Sequence, residues 1–310
     1  MRTRRSILGG LAGAAALAVP LRAQPAPPPS PRSAPEPAAR TIPSTGEAIP
    51  AVGLGTWITF NVGNDAVLRD ECTAVVAAFF AAGGRLIDSS PMYGSSQPTI
   101  GHALAKLDHP AALFSAEKVW TSSARNGRPQ IDQSLRLWGV PRFDLVQVHN
   151  LLAWEAHLDT LLDMKAQKQL RYVGITTSEG RRHAEIEAVM SGRPIDFVQV
   201  TYNPVDREVE RRILPLARER GIAVIVNRPF REGELTRRLA QHPLPAWPAE
   251  IGAASWAQLV LKFIVSHPAV TCAIPATTRV DHVRENLAAA AGPLPEEPLR
   301  RRIAEQLGRL

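Results

Sequence analysis

From Thr41 onward the chain is punctuated by eight short apolar runs, ending near Thr56, Asp88, Lys118, His149, Thr176, Val200, Val226 and Ile274. Most successive ends lie about 24–32 residues apart, room for one helix, two loops and the next strand. Residues 85–88, 143–148, 172–175 and 222–226 read as strands. Residues 72–82, 154–168, 181–190 and 255–266 read as helices, with apolar side chains at three- and four-residue spacing. Gly83-Gly84 is a stop signal for the first of them. Strand alternating with helix implies parallel pairing, and eight units in about 270 residues predict an α/β fold, a closed (β/α)₈ TIM barrel. An open doubly wound sheet would carry a glycine-rich phosphate turn after its first strand. Gly53-Leu54-Gly55 is too short for that, and no helix follows it directly. Residues 41–51, with Thr45-Gly46 near the centre, predict an N-terminal β-hairpin closing the barrel's bottom.

The formal net charge is +7, but its location matters more than its size. Arg2, Arg4, Arg5, Arg22, Arg32 and Arg40 against Glu36 give the first 40 residues +5, leaving the barrel about +2. A nucleic-acid footprint belongs on the folded body, so that class is excluded. Arg4-Arg5 followed by an apolar run of about 13 residues is too short to span a bilayer and reads as an export signal over residues 1–23. Residues 3–8, Thr-Arg-Arg-Ser-Ile-Leu, resemble the twin-arginine (Tat) motif, which the Tat export machinery reads as an address and which implies a periplasmic or extracellular destination. Residues 24–40, with seven prolines, form an extended Pro/Ala-rich linker, and 41–310 the barrel. Cys72 and Cys272 have no CxxC partner, which argues against zinc and thioredoxin-type chemistry. An oxidising compartment would permit their pairing. Cys72 falls in a helical pattern and Cys272 in a strand pattern, and two small buried apolar residues is the favoured assignment.

Catalytic side chains of such a barrel sit where strands end, at the C-terminal face. Asp88 ends the second strand, Tyr93 stands five residues later, Lys118 ends the third and His149 the fourth. Each alone has a bland explanation: a loop cap, a loop aromatic, a solvated charge, a core histidine. Together they deliver an acid, a phenol, an amine and an imidazole to one rim, the set that carbonyl reduction needs. Hydride arriving at a carbonyl carbon leaves negative charge on oxygen, which calls for a proton donor and a positive field. Lowering a Tyr pKa from about 10 toward 7 takes roughly 4 kcal/mol. An ammonium about 4 Å away supplies that at an effective dielectric near 20. Lys118 is therefore expected to activate Tyr93, Asp88 to orient Lys118, and neutral His149 to aim the carbonyl. No metal site is expected.

Several segments resemble the aldo-keto reductase signatures. They are Gly53-Leu-Gly-Thr-Trp57, Leu86-Ile-Asp-Ser-Ser-Pro-Met-Tyr-Gly94, Lys118-Val-Trp120, Leu145-Val-Gln-Val-His149, Phe197-Val-Gln-Val-Thr-Tyr-Asn-Pro204, Ile274-Pro-Ala-Thr-Thr-Arg279 and Glu285-Asn286. They occur in family order over nearly the whole body. The resemblance implies a (β/α)₈ fold, NADP(H) with NAD(H) as the other candidate, a small carbonyl substrate and the tetrad Asp88, Tyr93, Lys118 and His149. It places Gln199 on the nicotinamide carboxamide, and Thr277, Arg279, His282 and Asn286 at the adenosine phosphate. The chain departs from the family at three places. Thr176-Thr177 replaces a Ser-Asn pair that grips the carboxamide. Asn227 replaces an aromatic that stacks on the nicotinamide, and Arg228 beside it is positioned to reach the pyrophosphate. Ala276 replaces a basic residue. The chain ends in a helix over residues 297–310 with no long loop, which implies an open substrate pocket lined by Trp57, Trp120 and Trp154. A monomer is expected. The rival is a cofactor-binding barrel with a sensing or regulatory role and little turnover. A barrel hydrolase would need a metal cluster or paired carboxylates at the rim.

Overall fold

In the computed structural model, which describes residues 38–310, the chain opens with β1 (Ala39–Thr41) and β2 (Ala48–Pro50), an antiparallel hairpin. The expected export signal lies outside the described residues. The linker boundary at residue 40 is corrected: Ala39 and Arg40 already belong to β1. Its backbone is tied down, with Ala38 N–H donating to Ala290 O (2.9 Å) and the Arg40 guanidinium to Val265 O (2.8 Å).

Eight further strands follow: β3 (Leu54–Gly55), β4 (Leu86–Asp88), β5 (Phe114–Val119), β6 (Phe143–His149), β7 (Leu170–Thr176), β8 (Phe197–Thr201), β9 (Ala223–Asn227) and β10 (Cys272–Ala273). Each lies parallel beside its successor. Bridges Val52–Ala273 and Gly55–Ala276 close the ring between β3 and β10, completing the expected (β/α)₈ barrel. Glycine is required at that seam. A Cβ on Gly53 would sit 2.8 Å from Leu86 O, and one on Gly55 2.6 Å from Ile274 O.

The surrounding helices are α1 (Ala66–Ala81), α2 (Ser96–Lys106), α3 (Gly127–Trp138), α4 (Trp154–Ala166), α5 (His183–Gly192), α6 (Ile213–Arg220), α7 (Glu234–Leu239), α8 (Trp256–Val265), α9 (Val280–Ala288) and α10 (Glu297–Arg309). The first starts six residues before its apolar spacing does. Asp65 caps it, accepting from the Val67 and Leu68 amides at 2.9 and 3.1 Å, and its first turn faces solvent, so no buried residue marks it. Among the described residues no helix is long and apolar enough to cross a membrane.

The barrel interior is apolar at the bottom. Hairpin residues Ile42 and Ile49 pack with Leu86, Phe114, Leu145, Tyr172 and Phe197. Polar ties fix the plug: the Tyr172 hydroxyl donates to Glu47 (2.8 Å), and Arg171 and Arg85 pair with the same carboxylate. Cys72 and Cys272 are both buried free thiols. Burial pushes the Cys72 thiol up to about 11 and raises Cys272 as well, so neither is a reactive thiolate. Ile49 is fully buried in the plug, so Ile49→Ala is expected to cost about 2–5 kcal/mol of stability in urea unfolding. An unchanged midpoint would show that the hairpin does not share the barrel core.

Candidate active site

Above the apolar plug the interior turns polar. The Lys118 ammonium, fully buried on β5, donates to Asp88 Oδ2 (2.5 Å) at the end of β4 and to Ser89 O (2.7 Å). It lies 5.0 Å from the centroid of the Tyr93 ring, which comes in on the loop after β4. His149 ends β6 and meets the Tyr93 ring edge-on, centroids 5.8 Å apart. All four expected catalytic residues therefore share one site.

Its electrostatics differ from the expectation in one respect. Burial is the largest single effect on Lys118 and works against its charge, but Asp88, with Tyr93 and Glu117, holds the ammonium's pKa up. Tyr93 is not lowered toward 7. Burial pushes its phenol up to about 12, because the lowering effect of Lys118 is opposed by the Asp88 carboxylate beside it. His149 is neutral as expected: burial first, then the Lys118 charge, lowers it to about 3.

Ser90, which sequence reasoning passed over, sets the imidazole. Its Oγ accepts the Met92 amide (3.2 Å) and lies 2.7 Å from His149 Nδ1. That bond engages Nδ1 and fixes the orientation of the ring. Gln147 was also missed; it donates to Asp88 Oδ1 at 3.4 Å. Strand alternation would have found Gln147, two residues before His149 on β6, whereas Ser90 lies in the loop past the end of β4. On the opposite face of β5, buried Glu117 accepts from Gln97, Trp138 and the Lys118 amide, each at 2.8 Å. Its burial pushes the carboxyl up to about 7.

A cleft of about 610 Å³ opens over the tetrad. Gln199 anchors its floor, donating to Asp88 Oδ1 (2.8 Å) and accepting from Thr176 (3.1 Å). Asn227 donates to Thr177 O (2.9 Å) and accepts from Thr201 (2.7 Å), so the floor is one hydrogen-bonded sheet of side chains. Thr277, His282 and Asn286 line the cleft's other end. Arg279 does not line it; its guanidinium lies outside, in a double contact with Asp281 at 3.0 and 2.5 Å. Arg228 does line it, but held between two carboxylates, Glu179 (2.8 Å) and Glu232 (2.5 Å).

Of the three tryptophans, only Trp57 lines the cleft, its ring 4.9 Å from that of Tyr93 and its indole N–H donating to Glu232 (3.3 Å). Trp120 and Trp154 are corrected. Trp120 is exposed and does not line the cleft, while Gln130 bonds its backbone N–H and carbonyl (2.6 and 2.9 Å). Trp154 opens α4 and packs on the core between helices and strands. Beside Trp57, Ile58 has φ 65°, a left-handed conformation that costs a β-branched residue about 1–3 kcal/mol.

Residues 51–302 match the Aldo/keto reductase family. The chain belongs to that family. Two relatives are the NADH-specific methylglyoxal reductase of Escherichia coli and the aldo-keto reductase str7 of Strobilurus tenacellus. The first is 24% identical over 65% of this chain and 70% of its own length. The second is 25% identical over 76% of this chain and 82% of its own. An aldo-keto reductase from Klebsiella pneumoniae, solved with NADPH, superposes with a TM-score of 0.70 at 25% identity, covering 85% of this chain and 92% of its own. A thermostable aldo-keto reductase solved with the inhibitor epalrestat gives a TM-score of 0.72 at 28% identity, over 87% of this chain and 100% of its own. This aldo-keto reductase thus sets its tetrad and a polar-floored cleft over one barrel mouth, and amide, hydroxyl and guanidinium donors there suit a nicotinamide dinucleotide.

The His149 shift carries a stability signature. Its folded pKa near 3 lies below the unfolded value near 6.5, so the stability it reflects is present above 6.5 and lost as pH falls toward 3. His149→Gln is therefore expected to lose less stability than the parent between pH 6.5 and 4. Parallel urea curves for the two proteins across that window would show that His149 is not held neutral.

Proposed function

We propose that this chain reduces an aldehyde or ketone to an alcohol, using NADP(H), with NAD(H) as the second candidate. The observation that carries this is the buried Lys118–Asp88 pair beneath Tyr93 with neutral His149 opposite. Bound in the cleft, the nicotinamide supplies the hydride. Gln199, Thr176, Thr177 and Asn227 hold its carboxamide end; Arg228, Thr277, Arg279, His282 and Asn286 serve its phosphates. For Arg228 and Arg279 this means exchanging a carboxylate partner for a phosphate. The substrate oxygen accepts from His149 Nε2 and from the Tyr93 hydroxyl. Tyr93 gives up its proton as that oxygen gains charge, and Lys118 stabilises the phenolate left behind. With its pKa near 12 the phenol is fully protonated at neutral pH, the state a donor must start from.

An intact tetrad argues against the sensing alternative. Tyr93→Phe keeps the ring and removes the proton donor, so turnover is expected to fall about 10²–10⁴-fold with little change in cofactor affinity. Near-parental carbonyl reduction by that variant would remove Tyr93 from the role.

The protein acts as a monomer exported through the Tat route to the periplasm or beyond, with residues 1–23 as signal and a Pro/Ala-rich linker after them. What supports this is the sequence Thr-Arg-Arg-Ser-Ile-Leu at residues 3–8 and the short apolar run behind it. Tat machinery carries folded proteins, so the barrel can load its cofactor before leaving the cytoplasm. Replacing Arg4 and Arg5 by Lys is expected to keep folded protein inside the cell on fractionation; undiminished export would point to another route.

A further inference from the structure

Lys118 points to Asp88 beneath the cleft; its chain neighbour Glu117 points the other way, out of β5 toward the helices, and is fully buried. Glutamate is almost never fully buried unless it is paired, yet the hydrogen bonds to this carboxylate come from neutral donors. Its Oε2 accepts from Gln97 Nε2 and Trp138 Nε1, and its Oε1 from the Lys118 backbone amide, each at 2.8 Å. Gln97 Nε2 also donates to Ser134 Oγ (2.7 Å), so the carboxylate knots β5, α2 and α3 together at one buried point.

Two strands of that knot lead to the tetrad. One is direct: Glu117 holds the backbone N–H of Lys118. The other runs through α2, whose first turn carries Gln97 and begins three residues after Tyr93. Ser96 N–H donates to Tyr93 O (3.1 Å). Ser96 Oγ lies 2.8 Å from Ser89 Oγ and donates to Thr56 Oγ1 (2.8 Å). The turn that follows Tyr93 is thus fixed to the strand ends by Ser96 and to the back of β5 by Gln97.

We propose that Glu117, as a carboxylate, is a positioning residue for the proton donor: through Gln97 it fixes the first turn of α2, and with it Tyr93 over Lys118. The inference rests on the carbonyl reductase function proposed above. Three donors converge on the carboxylate, so a proton added to it sets an O–H among them and loosens the knot. Burial pushes this carboxyl up to about 7, which places the change in the neutral range. Among the described residues, the charged group that bears on it is Lys118, with Asp88 and Tyr93 beyond. The charges on the elements around it are engaged elsewhere. His102 and Lys106 of α2 bond Asp70, Arg128 and Asp132 of α3 pair together, and Arg136 is exposed. Asp144 of β6 is tied to Ser115 and Arg171.

Purified protein saturated with NADPH, assayed on a panel of aldehydes and ketones from about pH 5.5 to 8.5, tests it. Tyr93 at about 12, His149 at about 3 and the raised Lys118 each keep one state over that range. The parental kcat is therefore expected to rise through about pH 7 as Glu117 ionises. Glu117→Gln keeps the shape and loses the charge. Its kcat is expected to be level with pH and about 10–100-fold below the parental plateau, with KM and the NADPH Kd within about twofold. Gln97→Leu is expected to lower kcat likewise and to move the rise to higher pH, because the Gln97 bond holds the Glu117 carboxyl down. In nitrogen-15 NMR the Trp138 indole N–H is expected to titrate with the parental midpoint and to stop titrating in Glu117→Gln, whatever the turnover. Where Glu117→Gln does not fold, Gln97→Leu carries the test. Parental kcat with parental pH dependence in the folded variant overturns the proposal and leaves the reductase function standing. So does an equal loss of kcat and cofactor affinity, which makes Glu117 a structural residue. No turnover of any carbonyl overturns both.

Discussion

A lysine ammonium and an aspartate buried together inside a barrel set terms that the surrounding residues must meet. Burial of two charges costs more than their attraction returns unless the remaining lone pairs and protons are satisfied. Here Lys118 is completed by Ser89 O, and the second oxygen of Asp88 by the side-chain amides of Gln199 and Gln147. The Gln199 carbonyl in turn accepts from Thr176 and Asn227. A polar layer thus spreads across the barrel from one ion pair, and the apolar layer beneath has to seal it from the other end, which is what Ile42 and Ile49 do. Well-packed apolar residues of similar volume often replace a buried ion pair without loss of stability. The pair is intelligible as chemistry.

The same pair explains why a single-charge estimate of Tyr93 fails. Taken alone, Lys118 has the field to bring a phenol toward neutrality. Inside the barrel the penalty of burial is the larger effect, and Asp88 opposes the field of Lys118. The phenol therefore rests as an acid and is called upon only when charge develops on the oxygen it faces. Neutral His149 fits this economy, since a second cation in so small a space would be repelled by Lys118.

The strand ends were legible because a βα repeat places them at regular intervals, and the tetrad because each member stands on such an end or five residues after one. Periodicity did not show the first turn of α1, whose residues face solvent behind the Asp65 cap. Nor did it show β3 and β10, two residues each, as a closing seam. Ser90 stands beyond the end of β4, where strand alternation no longer applies, and its contact with His149 is set by the loop. The carboxylate partners of Arg228 and Arg279 come from loop geometry, which spacing does not encode. Trp120 and Trp154 show the limit of placing side chains by proximity in sequence: both lie within five residues of a strand end, and neither lines the cleft.

The seam between β3 and β10 has a thermodynamic meaning. It is joined by few backbone hydrogen bonds and relies on glycines that bring the strands close. The loops leaving its two sides bear Trp57 and Ile58 on one and Thr277 on the other, with His282 in the first turn of α9 just beyond, all lining the same cleft. A molecule lying along that cleft touches both lips of the barrel's weakest joint and works as a staple across it. Occupancy and the integrity of the cylinder become linked quantities: what fills the mouth also holds the ring shut.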